Sequence, residues 1–145
     1  MGTGWGYLVA GVAVLAWMAA LSVTDIREHR LPNALTVPAA VAIPAGAAMC
    51  GHGLPAVGGA AALAGVYFVV HLVSPAAMGA GDVKLAVSLG ALTGAFGVDV
   101  WALAALGAPV LTAVWGLIGR LRRVPHGPSM CLATLVAVLL VTSAR

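Results

Sequence analysis

Four acidic residues are present in the chain: Asp25, Glu28, Asp82 and Asp99. Two of them stand at the edges of long apolar stretches, Asp25 after one and Asp82 before another. An ionised Asp costs about 2.5–3.5 kcal/mol at the centre of a transmembrane helix and less toward the interface, so its default reading there is functional. The plainer reading is that each carboxylate flanks or caps a helix end, as Asp82 would where orphan N–H groups favour a negative charge. What shifts the balance is that both fall at the same depth and on the same face. Two carboxylates brought together at the edge of a dry bundle repel each other and hold a single proton as a coupled unit. Such a pair does general-base and general-acid work together: the ionised member takes a proton from water, and the protonated member donates to an amide carbonyl oxygen. That chemistry needs no metal.

The flanks of Asp82 fit this use. Gly79-Ala80-Gly81-Asp82 puts glycines directly before the acid, where they let a substrate backbone come close. Lys84 lies two residues beyond Asp82, does not share its helix face, and is expected to reach the headgroups or a substrate. Pro32 and Asn33 are expected to shape the turn after Asp25, with Asn33 capping the helix that follows. Asp99 and Glu28 are read as solvated, one in an outer loop and one among arginines. His29, His71 and His126 map to the face of the two acids but share no ligand spacing, so neither a metal nor a cofactor is expected. Cys50 and Cys131 fall near opposite faces, which rules out a disulfide between them.

The elements that must position these groups follow from composition. The 145 residues are 62% hydrophobic and 8% charged, whereas a soluble domain carries roughly 25% charge. Mean hydropathy is +1.08, so lipid is the solvent and the bilayer is the first partner. The net charge of +3 comes from seven basic residues without aromatic interleaving, which makes no nucleic-acid surface. Polar punctuation gives six apolar segments: Trp5–Val23, Ala34–Cys50, Ala56–Val73, Asp82–Gly97, Val100–Gly119 and Ser129–Ala144. Runs of this length without period-2 alternation are helices rather than barrel strands. The fold class is therefore all-α, a polytopic bundle of about six transmembrane helices forming one domain over residues 1–145. Pro38 and Pro44 are expected to kink the second segment. The abundant Gly and Ala allow close packing without invoking a GxxxG motif.

With six crossings, one face holds Arg27, Arg30, Lys84, Arg120, Arg122 and Arg123, and the other holds Arg145 alone. Positive-inside bias puts the first face, and with it both acids, in the cytoplasm and both termini outside. The first segment is read as a retained crossing, because no Lys or Arg precedes Trp5 and the apolar stretch is long for a signal peptide.

Two motifs in order now carry a resemblance. Asp25-Ile-Arg-Glu-His-Arg-Leu-Pro-Asn33 and Gly79-Ala-Gly-Asp-Val-Lys-Leu85 are similar to the paired signatures of type IV prepilin peptidases, the GxGD aspartic peptidases of bacterial membranes. A third stretch, Pro125-His-Gly-Pro-Ser-Met-Cys-Leu-Ala133, resembles the family's proline-glycine-proline turn before its last helix. His126 stands where that resemblance leads one to expect a bulkier apolar residue. The resemblance implies that Asp25 and Asp82 are the catalytic pair. It also implies that the substrate is a pilin-like precursor with a short basic leader, cut at the cytoplasmic face after a glycine. Longer relatives carry a further domain with two CxxC pairs and also methylate the new N-terminus. This chain shows no CxxC, so it resembles the short, peptidase-only form.

Two other classes compete. A proton- or cation-coupled carrier would use the acids as an ion site, but carrier sites lie near the bilayer midplane on broken helices within repeated halves. A non-catalytic subunit of a pilus or secretion assembly would tolerate the acids as helix ends, and Asp→Asn at either would then change nothing. The sequence names no particular precursor and sets no oligomeric state.

Overall fold

A computed structural model describes residues 2–145, which fold into six α-helices and no strand among the described residues. They are α1 (Gly2–Glu28), α2 (Asn33–Met49), α3 (Gly53–Val73), α4 (Ala80–Phe96), α5 (Val98–Gly119) and α6 (His126–Ser143). Four stretches are long and apolar enough to cross a membrane: Gly4–Glu28, Gly53–Val73, Val98–Gly119 and His126–Ser143. The helices α2 and α4, at 17 residues each, fall short of that length. The molecule is thus an all-α, polytopic membrane protein. Large apolar side chains such as Trp5, Val41 and Leu106 point outward, as they should where the surrounding medium is hydrocarbon.

The helix ends depart from the sequence expectation in instructive ways. The first helix does not stop at Thr24-Asp25 but continues to Glu28, because nothing between them breaks it: the Asp25 carbonyl still accepts the His29 N–H at 2.9 Å. The stop comes at His29, which takes a left-handed conformation (φ 51°), followed by extended Pro32. Asp25 is therefore held inside the last turn of a rigid element rather than in a polar loop. The second helix starts after Pro32 and has no side-chain cap; Asn33 is its first residue, not its cap. It runs unbroken through Pro38 and Pro44. Asp99 lies in the first turn of α5 rather than in a loop, where a carboxylate suits the helix N-terminus. The connection before it is one residue, Gly97, at φ +129°, a conformation that side chains rarely tolerate.

The core is made by Leu21, Leu85, Leu89 and Met130, each almost wholly buried, so α1, α4 and α6 meet on the same cluster. The seam between α3 and α4 is closer still. A Cβ on Gly90 would lie 2.5 Å from the Gly59 carbonyl oxygen, and one on Gly94 would lie 2.5 Å from that of Pro55. These glycines form a Gly90-x-x-x-Gly94 motif, and the indole of Trp101 donates to the Gly59 carbonyl at 3.0 Å. A GxxxG contact does organise this bundle, contrary to the sequence expectation, because backbone-to-backbone approach admits no side chain larger than hydrogen. The seam fixes α4, and α4 carries Asp82.

Candidate active site

The C-terminal ends of α1, α3 and α5 and the N-terminal ends of α2, α4 and α6 gather at one end of the bundle. Three contacts tie this end together. The Lys84 ammonium donates to Asn33 Oδ1 at 2.7 Å, joining α4 to α2. Tyr67 on α3 is hydrogen-bonded to His126 on α6. The Gly127 N–H donates to Asp25 Oδ2 at 2.9 Å, joining α6 to α1.

Asp25 is 6% exposed, a buried carboxyl in an otherwise apolar corner. Its partner comes from the first turn of α6, where backbone N–H groups have no acceptor inside the helix. The dipole of α6 adds to the attraction, since its N-terminus carries partial positive charge. Gly127 has to be glycine for this to work. A Cβ there would stand 2.7 Å from Asp25 Oδ2 and 3.3 Å from Leu31 Cδ2.

Leu31 bridges the two acids. Besides touching Gly127, it lies against Gly81, where an added Cβ would come within 2.9 Å of Leu31 Cβ. Gly81 is the residue before Asp82, so the path Asp25, Gly127, Leu31, Gly81, Asp82 is continuous packing. Asp25 and Asp82 therefore lie on one packed corner of the bundle. Asp82 is half-buried on the third residue of α4, and its Oδ2 accepts the Gly79 N–H at 3.3 Å. It therefore caps its own helix from within, as the plainer sequence reading allowed.

The other expected residues divide. Gly79 is exposed, with Asp82 Oδ2 at 3.5 Å and the Gly81 nitrogen at 4.0 Å from a notional Cβ, so a side chain there would meet no close contact. Gly81 gives its space to Leu31 instead. Lys84 does not reach outward to headgroups but joins Asn33, and so Asn33 spends its side chain on a strut between helices. Pro32 begins α2 in extended geometry and supplies the carbonyl that accepts the Thr36 N–H.

Several participants were not legible as a group. His126 accepts or donates on both ring nitrogens: Nε2 lies 3.1 Å from the Tyr67 hydroxyl, and Nδ1 lies 2.6 Å from Thr112 Oγ1. The set is fully satisfied when Tyr67 O–H donates to Nε2, Nδ1–H donates to Thr112, and Thr112 donates to the Ala108 carbonyl at 3.0 Å. The relay ties α3 and α5 to the residue that precedes Gly127, the partner of Asp25. His71 is a second buttress, its Nδ1 donating to the Met78 carbonyl at 2.6 Å just before Gly79. His29 is exposed. Among the described residues no three His, Cys, Asp or Glu side chains cluster as a metal site would require. Cys131 is buried and Cys50 exposed, both free.

A buried carboxyl that accepts an N–H from a helix N-terminus, with a second carboxyl beside an exposed glycine at the same corner, is a candidate pair for activating water against an amide. Comparison with known families agrees with that chemistry. A family profile described as "Type IV leader peptidase family" matches residues 12–143, a stretch that contains both acids and Gly127. No curated protein and no solved structure matches the chain significantly.

Proposed function

The chain belongs to the Type IV leader peptidase family, membrane aspartic peptidases that cleave the leaders of pilin-like precursors, and from that premise we propose that Asp25 and Asp82 are its catalytic pair. The observation that carries the assignment is the buried Asp25 carboxyl held by the Gly127 N–H and joined to Asp82 through the packing of Leu31 on Gly127 and Gly81.

The two carboxyls share one proton, because two adjacent negative charges in a poorly solvated corner repel. The ionised member takes a proton from a water molecule, whose oxygen attacks the carbonyl carbon of the scissile amide. The protonated member donates to the carbonyl oxygen. Collapse of the resulting tetrahedral species breaks the C–N bond, and a carboxyl returns a proton to the departing amine. Gly79 leaves the edge of α4 open for the extended stretch around the scissile bond, and Gly81 lets Leu31 pack close enough to seat the two acids together. Lys84, Asn33 and Pro32 frame the same mouth from α4 and α2, where they border the leader.

The whole chain acts as one transmembrane peptidase domain. All six helices cross or enter the bacterial cytoplasmic membrane, with the acids at the cytoplasmic face and both termini outside. Support for this orientation is the concentration of Arg27, Arg30, Lys84, Arg120, Arg122 and Arg123 at the end of the bundle that holds the acids.

The test is leader cleavage in membranes, with a pilin-like precursor from the same genome. Wild type runs beside Asp25→Asn and Asp82→Asn, with insertion of all three verified. Loss of cleavage in both variants is the expected result; cleavage that survives either substitution removes the two-carboxylate mechanism.

A further inference from the structure

His126 opens the first turn of α6, and the reaction as derived does not use it. It nevertheless makes two hydrogen bonds, to two different helices, on the residue that shares a peptide group with Gly127. We propose that His126 is a positioning residue for leader cleavage: bridged between Tyr67 and Thr112, it holds the His126–Gly127 peptide plane so that the Gly127 N–H points at Asp25. This rests on the reading of Asp25 as catalytic.

The argument is geometric. A peptide group is planar, so the direction of the Gly127 N–H is set by the two flanking Cα atoms and by the rotation of the plane about the line joining them, and anchoring His126 restricts both. Gly127 has no side chain to anchor it, and its Cα must stay close to Asp25. The anchor is therefore on the other side of the peptide bond. The imidazole supplies it from both ring nitrogens, with Tyr67 Oη at 3.1 Å on α3 and Thr112 Oγ1 at 2.6 Å on α5. Each partner is itself fixed: Tyr67 is 6% exposed in the core, and Thr112 is tied to the Ala108 carbonyl. A neutral imidazole offers one donor and one acceptor in fixed directions, which matches one hydroxyl that must donate and one that must accept. An apolar ring would fill the same space but would strand the Tyr67 hydroxyl and leave the peptide plane free to rock. An orienting bond to a reacting group loses effect steeply with small displacements, so rocking reaches the chemical step before it reaches substrate binding.

The experiment measures kcat and KM for cleavage of a pilin-like precursor by the full chain in detergent or membranes. The variants are Tyr67→Phe, His126→Phe, their double variant and His126→Gln, run beside Asp25→Asn and Asp82→Asn. Tyr67→Phe and His126→Phe are each expected to lower kcat roughly tenfold with KM within about twofold. The double variant should be no slower than the slower single, because both substitutions open the same bridge. His126→Gln, whose amide can accept from Tyr67 and donate to Thr112, should recover most of the rate. A kcat within about twofold of wild type in Tyr67→Phe overturns the proposal, as does a loss confined to KM or an additive double variant. If His126→Phe fails to insert, Tyr67→Phe decides alone, since it deletes one oxygen and keeps the ring. Cleavage that survives Asp25→Asn or Asp82→Asn sinks the two-carboxylate reading itself. Loss in both, with Tyr67→Phe unaffected, sinks only the role of His126.

Discussion

The two carboxylates are held on different terms. Asp82 takes its hydrogen bond from Gly79, three residues away in its own first turn. Asp25 takes its bond from Gly127, 102 residues away on another helix. The first arrangement is local and forms whenever α4 forms. The second is tertiary, and it requires that α1, α6 and the side chains behind His126 all be in place. One acid is thus set by helix geometry and the other by assembly of the bundle. The lesson is that the weaker point of the site lies on α6, which contributes no acid at all.

The largest test treats both acids alike. Asp25→Asn and Asp82→Asn should each lower cleavage by roughly 10²–10⁴-fold, the range of a lost general acid or base, measured as initial rates against precursor. The difference between the regions appears next. Gly127→Ala drives a methyl group to within 2.7 Å of Asp25 Oδ2, so the carboxyl or the helix must move. A drop of about 10–100-fold in kcat is expected, with helix content unchanged by circular dichroism. Gly81→Ala meets Leu31 instead, at 2.9 Å, and displaces a packing residue rather than a reacting group. Its effect on kcat should be only a few-fold, and an effect as large as that of Gly127→Ala would erase the distinction drawn above.

The smallest effect on chemistry belongs to the α3–α4 seam. Gly94→Ala sets a methyl 2.5 Å from the Pro55 carbonyl oxygen and should cost about 1–3 kcal/mol of stability, read from thermal unfolding in detergent. The kcat per folded molecule should change less than in Gly81→Ala, because the seam carries α4 as a whole and leaves the Gly79–Asp82 bond intact. A seam variant that folds normally but loses its rate would show that Asp82 is aimed from afar as well.

Much of this site was readable before any coordinates. Asp25 and Asp82 stand out because ionisable groups are rare in a chain 8% charged, and counting apolar segments leads one to expect them at equal depth. The helices followed for the same reason, within a turn at each end except the end of α1, which runs five residues past Val23. Two features lay beyond that kind of reading. Helix termini such as the end of α1 depend on which residue first takes a left-handed or extended conformation, and hydropathy carries no trace of that. Partners such as Gly127, Tyr67 and Thr112 are set by tertiary packing: a backbone N–H has no letter of its own, and a tyrosine on α3 looks like any other core aromatic. Asn33 shows the converse, since its local preference for capping yields to Lys84 once α2 and α4 lie side by side. Length sorts the helices less simply than segment counting does, because four stretches meet the requirement for spanning while α2 and α4 are shorter.

The distance in sequence between Asp25 and Gly127 also bears on how the protein is made. Synthesis delivers the first acid at the start and its hydrogen-bond donor only after 102 further residues. Every intermediate of insertion that lacks α6 holds an Asp25 without its orienting partner. A nascent chain can therefore sit among pilin-like precursors in the same membrane while its own site is unfinished. On the proposed role of Asp25, the site is complete only once α6 has been inserted.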